Sequence, residues 1–437
     1  MAQFGWRIEA RMDMQSAPDS EGRTASSGER KNFVDRAGIG FGEFIFLIAA
    51  LSSIVGLSID IMLPVLPLIG DSFAVTNEND RQAIIVVFML GFGGAQIFFG
   101  PLSDRYGRNI ILIPAILFYA AASMAAIFAD SFAVLLALRL AQGVGAAAVR
   151  IVVMAIVRDC FAGRDMARVM SYTFTIFMIV PVVAPALGQW ISNIASWQWI
   201  FLVLGFAGTA LAAWSGLRIK ETLRPNERQP LSFAGVGNAF MEIMKNRLAM
   251  GYTLGATLCF SGLIAFVVSA QQIFQSMYDL GQWFAFAFAL NAAVMAVLNI
   301  ANGAIVRTVG MRLISHSALI AFALLGTLLL LISLAGQPPF WVSYILLAAI
   351  VGAFGLVPGN FNALAMEPLG HIAGTASSVL GVITFTVGAV LGGLVGQAYN
   401  GTLIPLAAGL ALFGWLALAI VLWTEKGKLF VNPAGPR

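Results

Sequence analysis

Windows of about 20 apolar residues recur along the chain from Phe44 to Trp423, and this repetition constrains the fold more than any other feature. A helix rises 1.5 Å per residue, so about 20 residues cross a bilayer core of roughly 30 Å. Twelve windows can be placed, at 43–69, 82–101, 110–129, 132–157, 167–192, 198–217, 248–274, 282–303, 313–334, 341–361, 372–398 and 403–423. They are numbered spans 1 to 12. A membrane barrel would show alternating segments of about half that length. With 59% hydrophobic and 11% charged residues over 437 positions, the chain cannot hide this surface as a water-soluble globule. An all-α membrane protein is expected.

The charges are sorted by side of the membrane. Of 25 lysines and arginines, 22 fall in the tail before span 1, the turns after spans 2, 4 and 8, the stretch between spans 6 and 7, and the C-terminus. Arg139 and Arg150 lie inside span 4, which leaves Arg81 as the basic residue on the opposite side. Positive charge collects on the inner face, so both termini are expected in the cytoplasm. This sorting, rather than the formal net charge of +4, argues against a nucleic-acid partner.

The longest interior polar stretch, 218–247, reads as a cytoplasmic central loop between a first half, 42–217, and a second half, 248–423. Residues 240–247 suit either a short amphipathic helix on the inner surface or a solvated loop end. Residues 1–41 are polar, lack a signal-peptide core and read as a disordered cytoplasmic tail, and 424–437 as a second tail. Cys160 and Cys259 are expected to be free thiols.

Between spans 2 and 3 stands a charged turn, Gly100-Pro-Leu-Ser-Asp-Arg-Tyr-Gly-Arg-Asn109. It has a degenerate echo between spans 8 and 9, Gly303-Ala-Ile-Val-Arg-Thr-Val-Gly-Met-Arg312. Both copies keep two glycines seven residues apart, but Asp104 aligns with Arg307 and Arg105 with Thr308. The first copy resembles the loop between helices 2 and 3 of the major facilitator superfamily. That resemblance implies twelve transmembrane helices in two pseudo-symmetric six-helix halves. It also implies a cytoplasmic latch made of Gly100, Asp104, Arg105, Gly107, Arg108 and Asp159. Gly100 and Asp104 would meet the start of span 11, Arg105 and Arg108 would hold acids such as Asp159 or Glu367, and the latch would hold an outward-facing state.

Asp60 is the one carboxylate well inside a span. An isolated carboxylate at that depth is costly, so it is expected to face a cavity or a partner and to carry protons; structurally, it would be an ion pair or a cap where a helix breaks at Pro64. Arg139 lies at a matching depth and is the proposed partner. Leu138-Arg-Leu-Ala-Gln-Gly resembles the superfamily's helix-4 motif, which implies a link between Arg139 and proton transfer. Arg150 follows 11 residues later, about three turns, and so shares a face with Arg139. It either lines a polar cavity or snorkels to the inner surface. In span 5, Pro181, Ala184, Pro185 and Gly188 resemble an antiporter-associated Gly-Pro signature, with Ala184 and Gln189 standing where glycines are expected. Physically the prolines kink the helix, and Ala184 and Gly188 form a small face for close packing.

The second half has no charge well inside a span. Its polar residues there are amides and one histidine, so proton coupling is expected in the first half, with Gln142, Arg150, Gln271, Gln272, Phe266 and Asn291 as cavity or substrate candidates. Ser58-Ile-Asp with Leu63-Pro-Val-Leu-Pro67, Ala155-Ile-Val-Arg-Asp-Cys-Phe161 and Ala373-Gly-Thr-Ala-Ser-Ser378 together resemble the bicyclomycin-resistance (Bcr/CflA-type) drug:proton antiporters over about residues 42–423. The resemblance implies a monomeric bacterial inner-membrane exporter. It would exchange small hydrophobic or amphipathic antimicrobials, weakly polar or cationic, for protons, with no cofactor beyond the proton gradient. Two other readings remain: uptake of a small metabolite, and a non-transporting sensor. No metal-ligand cluster, nucleophile constellation or phosphate loop points to an enzyme.

Overall fold

The computed structural model describes residues 37–161, 163–228 and 233–431. Of the tail expected to be disordered at 1–41, residues 1–36 lie outside the described residues, but 37–41 are ordered, with Ala37 and Ile39 buried and Phe41 opening span 1. Of the second expected tail, 424–437, residues 432–437 lie outside and Thr424 still belongs to the last helix. Eleven helical stretches are long and apolar enough to cross a membrane. One of them, Phe340–Gln397, has 58 residues, about 87 Å of helix, enough for two crossings. It divides at the 3-10 stretch Glu367–Ile372, where Leu369 leaves helical geometry at φ −109° and ψ 16°. Twelve spans result.

In the first half they are Phe41–Ser72, Glu78–Tyr106, Arg108–Ala126, Phe132–Cys160, Arg168–Ile194 and Gln198–Arg218. In the second they are Arg247–Met277, Gly281–Val309, Met311–Ala335, the two parts of Phe340–Gln397, and Ile404–Thr424. Span 4 packs on spans 2 and 3, and span 7 on spans 11 and 12, so each half has its own centre.

Several spans are interrupted, and the sequence supplies the cause. Span 1 runs as a helix over Phe41–Asp60, loosens through a 3-10 turn at Leu63–Val65, and resumes at Leu66–Ser72, with Pro64 and Pro67 at the first positions of the new turns. Proline lacks the N–H an interior helical residue needs but is tolerated where a helix begins. Span 5 divides into Gly163–Phe177 and Val180–Ile194, with Pro181 restarting the second piece. Span 11 carries a π-helical turn at Ile383–Val387 between Ala373–Val382 and Gly388–Gln397. The continuous helices expected from hydropathy alone are therefore broken at these points.

Between the halves, Phe233–Lys245 forms a helix that buries Ala239 and Ile243 and exposes Met241 and Met244. It lies against spans 7 and 11, with its Glu242 2.9 Å from His371 Nε2. This is the helical alternative for 240–247, begun earlier. The end of the bundle where this segment emerges is the linker end; the loops after spans 1, 7 and 11 mark the far end. No disulfide joins Cys160 to Cys259.

Candidate functional site

Asp60 is the last residue of the first helical piece of span 1, directly before the break, and is 6% exposed. Its carboxylate has no hydrogen-bond or ion-pair partner among the described residues. The break beside it is held by span 5. A Cβ on Gly188 would stand 2.1 Å from the carbonyl oxygen of Ile61, so only glycine lets the two backbones meet there. The small face of Ala184 and Gly188, both buried, is thus the surface on which span 1 unwinds.

Arg139 does not pair with Asp60. Fully buried, it donates from Nη2 to Ser58 O at 2.9 Å, from Nε to Ile84 O at 3.1 Å and from Nη1 to Gln142 Oε1 at 2.7 Å, and its guanidinium lies 4.5 Å from the Phe88 ring. Gln142 Nε2 in turn donates to Ser123 Oγ at 2.5 Å, and Ser58 Oγ meets Tyr119 Oη at 2.6 Å. The network ties spans 1, 2, 3 and 4 together two residues before Asp60. Matching depth placed Arg139 at the right level; rotation about the span-4 axis turns it to backbone carbonyls. Arg139 therefore braces the break rather than neutralising the acid.

Of the six cavity candidates, five are buried: Gln142, Gln271, Gln272, Phe266 and Asn291. Phe266 stacks on Phe288 at 5.9 Å, and Asn291 donates to Ala287 O at 3.1 Å within the second half. Gln271 donates to Gln275 Oε1 at 3.2 Å. Arg150 alone of the six keeps part of its surface open. It neither pairs with an acid nor snorkels free: its Nη1 donates to Gln96 Oε1 at 2.8 Å.

The charged turn at the linker end is a built cluster. Gly107 has φ +119°, a left-handed value, and span 3 starts on the next residue. Arg108 donates to Asp159 from Nε at 2.8 Å and Nη2 at 3.2 Å, to Asp104 Oδ1 at 2.5 Å and to Ser103 Oγ at 3.0 Å. Glu221, which the sequence reading did not single out, accepts from the backbone N–H of Arg108 at 2.8 Å and of Asn109 at 3.0 Å, satisfying two open donors at the start of span 3. Arg105 is exposed and has no partner among the described residues, and Glu367 lies 3.6 Å from Arg312 instead. Gly100 does approach span 11: a Cβ there would lie 3.1 Å from Ser378 Oγ. Asp104 points back to Arg108 rather than to the span-11 helix end.

The counterpart of Glu221 is Glu425, after span 12. It accepts from Arg312 Nε at 2.9 Å and from Tyr252 Oη at 2.5 Å. Burial pushes its carboxyl up, but the hydrogen bonds from Tyr252 and Arg312 prevail and hold it below the ordinary range.

The far end is closed by amides. Asn79 Nδ2 donates to Gln397 O at 2.9 Å and to Tyr399 O at 2.8 Å, and Gln397 Nε2 returns a bond to Asn79 O at 2.7 Å. Gln272 Nε2 donates to Asn79 Oδ1 at 2.7 Å, while Gln82 Nε2 donates to Gln272 Oε1 at 2.5 Å and to Gly396 O at 3.2 Å. Gln272 therefore belongs to an inter-half clasp. Arg81, expected on this side, pairs with Asp71 at 2.9 Å outside the clasp. Between described residues, no hydrogen bond or ion pair joins the halves at the linker end. The far end is shut; the linker end is held by packing of span 2 on span 11.

A family model described as Major Facilitator Superfamily matches residues 48–393. The chain is 30% identical to a protein of Haemophilus influenzae named bicyclomycin resistance protein homolog, over 83% of this chain and 91% of that protein. It is also 30% identical to the multidrug resistance protein MdtL of Escherichia coli O45:K1, over 74% and 81% of the two chains. Among solved structures it is similar in fold to the xylose transporter XylE of E. coli in a partially occluded inward-open conformation, with TM-score 0.68 and 11% identity over 90% of this chain and 98% of that one. A bacterial homolog of the lysosomal transporter Spinster, inward-facing and occupied, gives TM-score 0.64 at 14% identity, over 89% and 98% of the two chains.

Proposed function

The chain belongs to the Major Facilitator Superfamily, and on that premise we propose that it exports small hydrophobic or amphipathic antimicrobial compounds across the bacterial inner membrane in exchange for protons. The observation that carries the coupling is Asp60: a carboxylate without a partner among the described residues, at a helix break inside a membrane span, in the half that also holds the Arg139 network. Relatives named for drug resistance support the choice of cargo. The basic residues gathered at the linker end support a cytoplasmic location for it, so the amide clasp faces outward and the conformation is inward-facing.

Transport then proceeds by rocking of the halves 42–217 and 248–423 about the middle of the membrane. With the clasp shut, cargo enters from the linker end and Asp60 releases its proton there. Opening the clasp breaks the Asn79 and Gln82 bonds and exposes the other side, where a proton returns to Asp60 and cargo leaves. Arg139 moves no proton; it fixes Ser58 and hence the position of the break. Protons and cargo are the ligands this requires.

Everted vesicles test direction and coupling together. Adding cargo to vesicles with an acid lumen should release lumenal protons, and Asp60→Asn should abolish that release. Lumenal acidification would mean co-transport in one direction, and proton release unchanged in Asp60→Asn would remove Asp60 from the mechanism. Binding without any flux would favour a sensor.

A further inference from the structure

Arg150 is a cation within span 4 that has no acid beside it among the described residues. Its one hydrogen bond among the described residues goes to Gln96 Oε1 at 2.8 Å. Gln96 is itself oriented, because its Nε2 donates to Phe92 O at 3.1 Å and so turns its oxygen toward the guanidinium. The guanidinium carbon lies 4.6 Å from the centre of the Phe385 ring and 6.0 Å from that of Phe92. Phe385 makes edge contacts with Phe92 at 5.1 Å and with Phe260 at 5.0 Å. Gln96 and Phe92 belong to span 2, Phe260 to span 7, and Phe385 to the π-helical turn of span 11. The cation therefore stands between the two halves, against an aromatic wall to which both contribute.

The other buried arginines among the described residues have more partners. Arg139 has three acceptors, Arg108 two carboxylates and a hydroxyl, and Arg312 two carboxylates. A guanidinium has five N–H donors, and an ionised side chain inside a membrane span is costly unless it is paired or faces an open path. Arg150 has one neutral acceptor and keeps part of its surface open. Span 11 is brought close to it: a Cβ on Gly381 would lie 3.3 Å from Arg150 Nη1. A planar carboxylate matches the unused fork of donors, and an aromatic ring attached to it matches the phenylalanine wall.

We propose that Arg150, with Gln96 and the rings of Phe92, Phe385 and Phe260, is a subsite on the transport path that takes the oxyanion of an aromatic acid. This rests on the transporter reading and narrows its cargo: neutral and anionic aromatics are accepted at this point, and cations are repelled. That departs from the cationic drugs the subfamily resemblance suggests.

Equilibrium dialysis of the purified protein against three ligands of one ring system tests it: 2-naphthoate, 2-naphthamide and (2-naphthylmethyl)trimethylammonium. The wild type should bind naphthoate about tenfold or more tightly than either other ligand, the margin of a charge-assisted bidentate bond. Arg150→Gln should bring the three within about twofold, and Arg150→Lys, which keeps the charge but not the fork, should weaken naphthoate severalfold and leave naphthamide unchanged. Equal binding of the three by the wild type overturns the subsite. So does a preference that survives in Arg150→Gln, or naphthoate affinity unchanged in Arg150→Lys, the variant that decides if Arg150→Gln does not fold. The assay reads binding, not flux. A protein that prefers the acid yet moves no protons would refute the exporter and leave the subsite standing; one that exports a neutral compound with no charge preference would do the reverse.

Discussion

The turn at 100–109 and its echo at 303–312 share a glycine skeleton and differ in what the skeleton holds. Gly107 and Gly310 both adopt positive φ, +119° and +92°, and in each half a membrane span begins on the next residue. That second glycine is required by the turn itself. The first glycine is different: Gly100 faces Ser378 of span 11, while Gly303 has open space around it. One half meets its neighbour at the linker end and the other stands clear. The charges follow the same division, since Arg108 gathers Asp104 and Asp159, whereas Arg312 reaches Glu425 and, more distantly, the exposed Glu367. Duplication kept the turn, and the two copies then acquired different loads.

Substitutions can break this comparison. The largest effect is expected at Gly188, where a side chain has no room against the Ile61 carbonyl. Gly188→Val should destabilise by about 3 kcal/mol or more through overpacking at the span-1 break, read as lost monodisperse protein or a lower Tm. An ordinary Tm would mean that span 5 does not hold the break. Next, Arg108→Ala should cost about 3 kcal/mol by taking the buried guanidinium away from Asp104 and Asp159, and Arg312→Ala clearly less, because its second contact is long and its partner there exposed. Equal losses in thermal unfolding would show that the copies carry equal loads.

A smaller effect is expected at the far end. Asn79→Ala removes three bonds across the clasp, and at a net ~0.5 kcal/mol each the population of clasp-open molecules should rise roughly tenfold. Spin-label distances across the far end read this directly, and an unchanged distribution would show that packing, not the amides, shuts that face. The finest comparison is Gly100→Ala against Gly303→Ala. The first should slow transport by roughly threefold, about 0.6 kcal/mol on the barrier, and the second should leave it unaltered. Matching rates would mean that the approach to Ser378 is incidental to the cycle.

Much of this is legible in the sequence. Apolar windows gave the crossings, and the seven-residue glycine spacing gave the duplication. Pro64 and Pro181 marked the breaks in spans 1 and 5. Other parts were harder. Glu221 and Glu425 lie more than 100 residues from the helix starts they grip. Yet both are the first acids after the sixth span of their halves, a repeat that comparing the copies end to end would have found. The amide clasp was not legible: Gln272 stood out, but as a cavity residue, and Asn79, Gln82 and Gln397 sit at or near span ends, far from it in sequence.

Sequence by itself determined that this chain crosses a membrane in two related sets of spans, with Asp60, Arg139 and Arg150, the charged residues well inside a span, in the first. Hydrophobic length and turn geometry are local properties, and a single strand of text records them. Only the tertiary structure decided that Arg139 binds backbone carbonyls instead of Asp60, that Gln272 shuts the far end, and that Arg150 stands between the halves against Phe385. A buried polar group takes whichever partner its rotation about the helix axis and the packing of distant spans bring within 3 Å, and depth along the chain fixes only one of those coordinates.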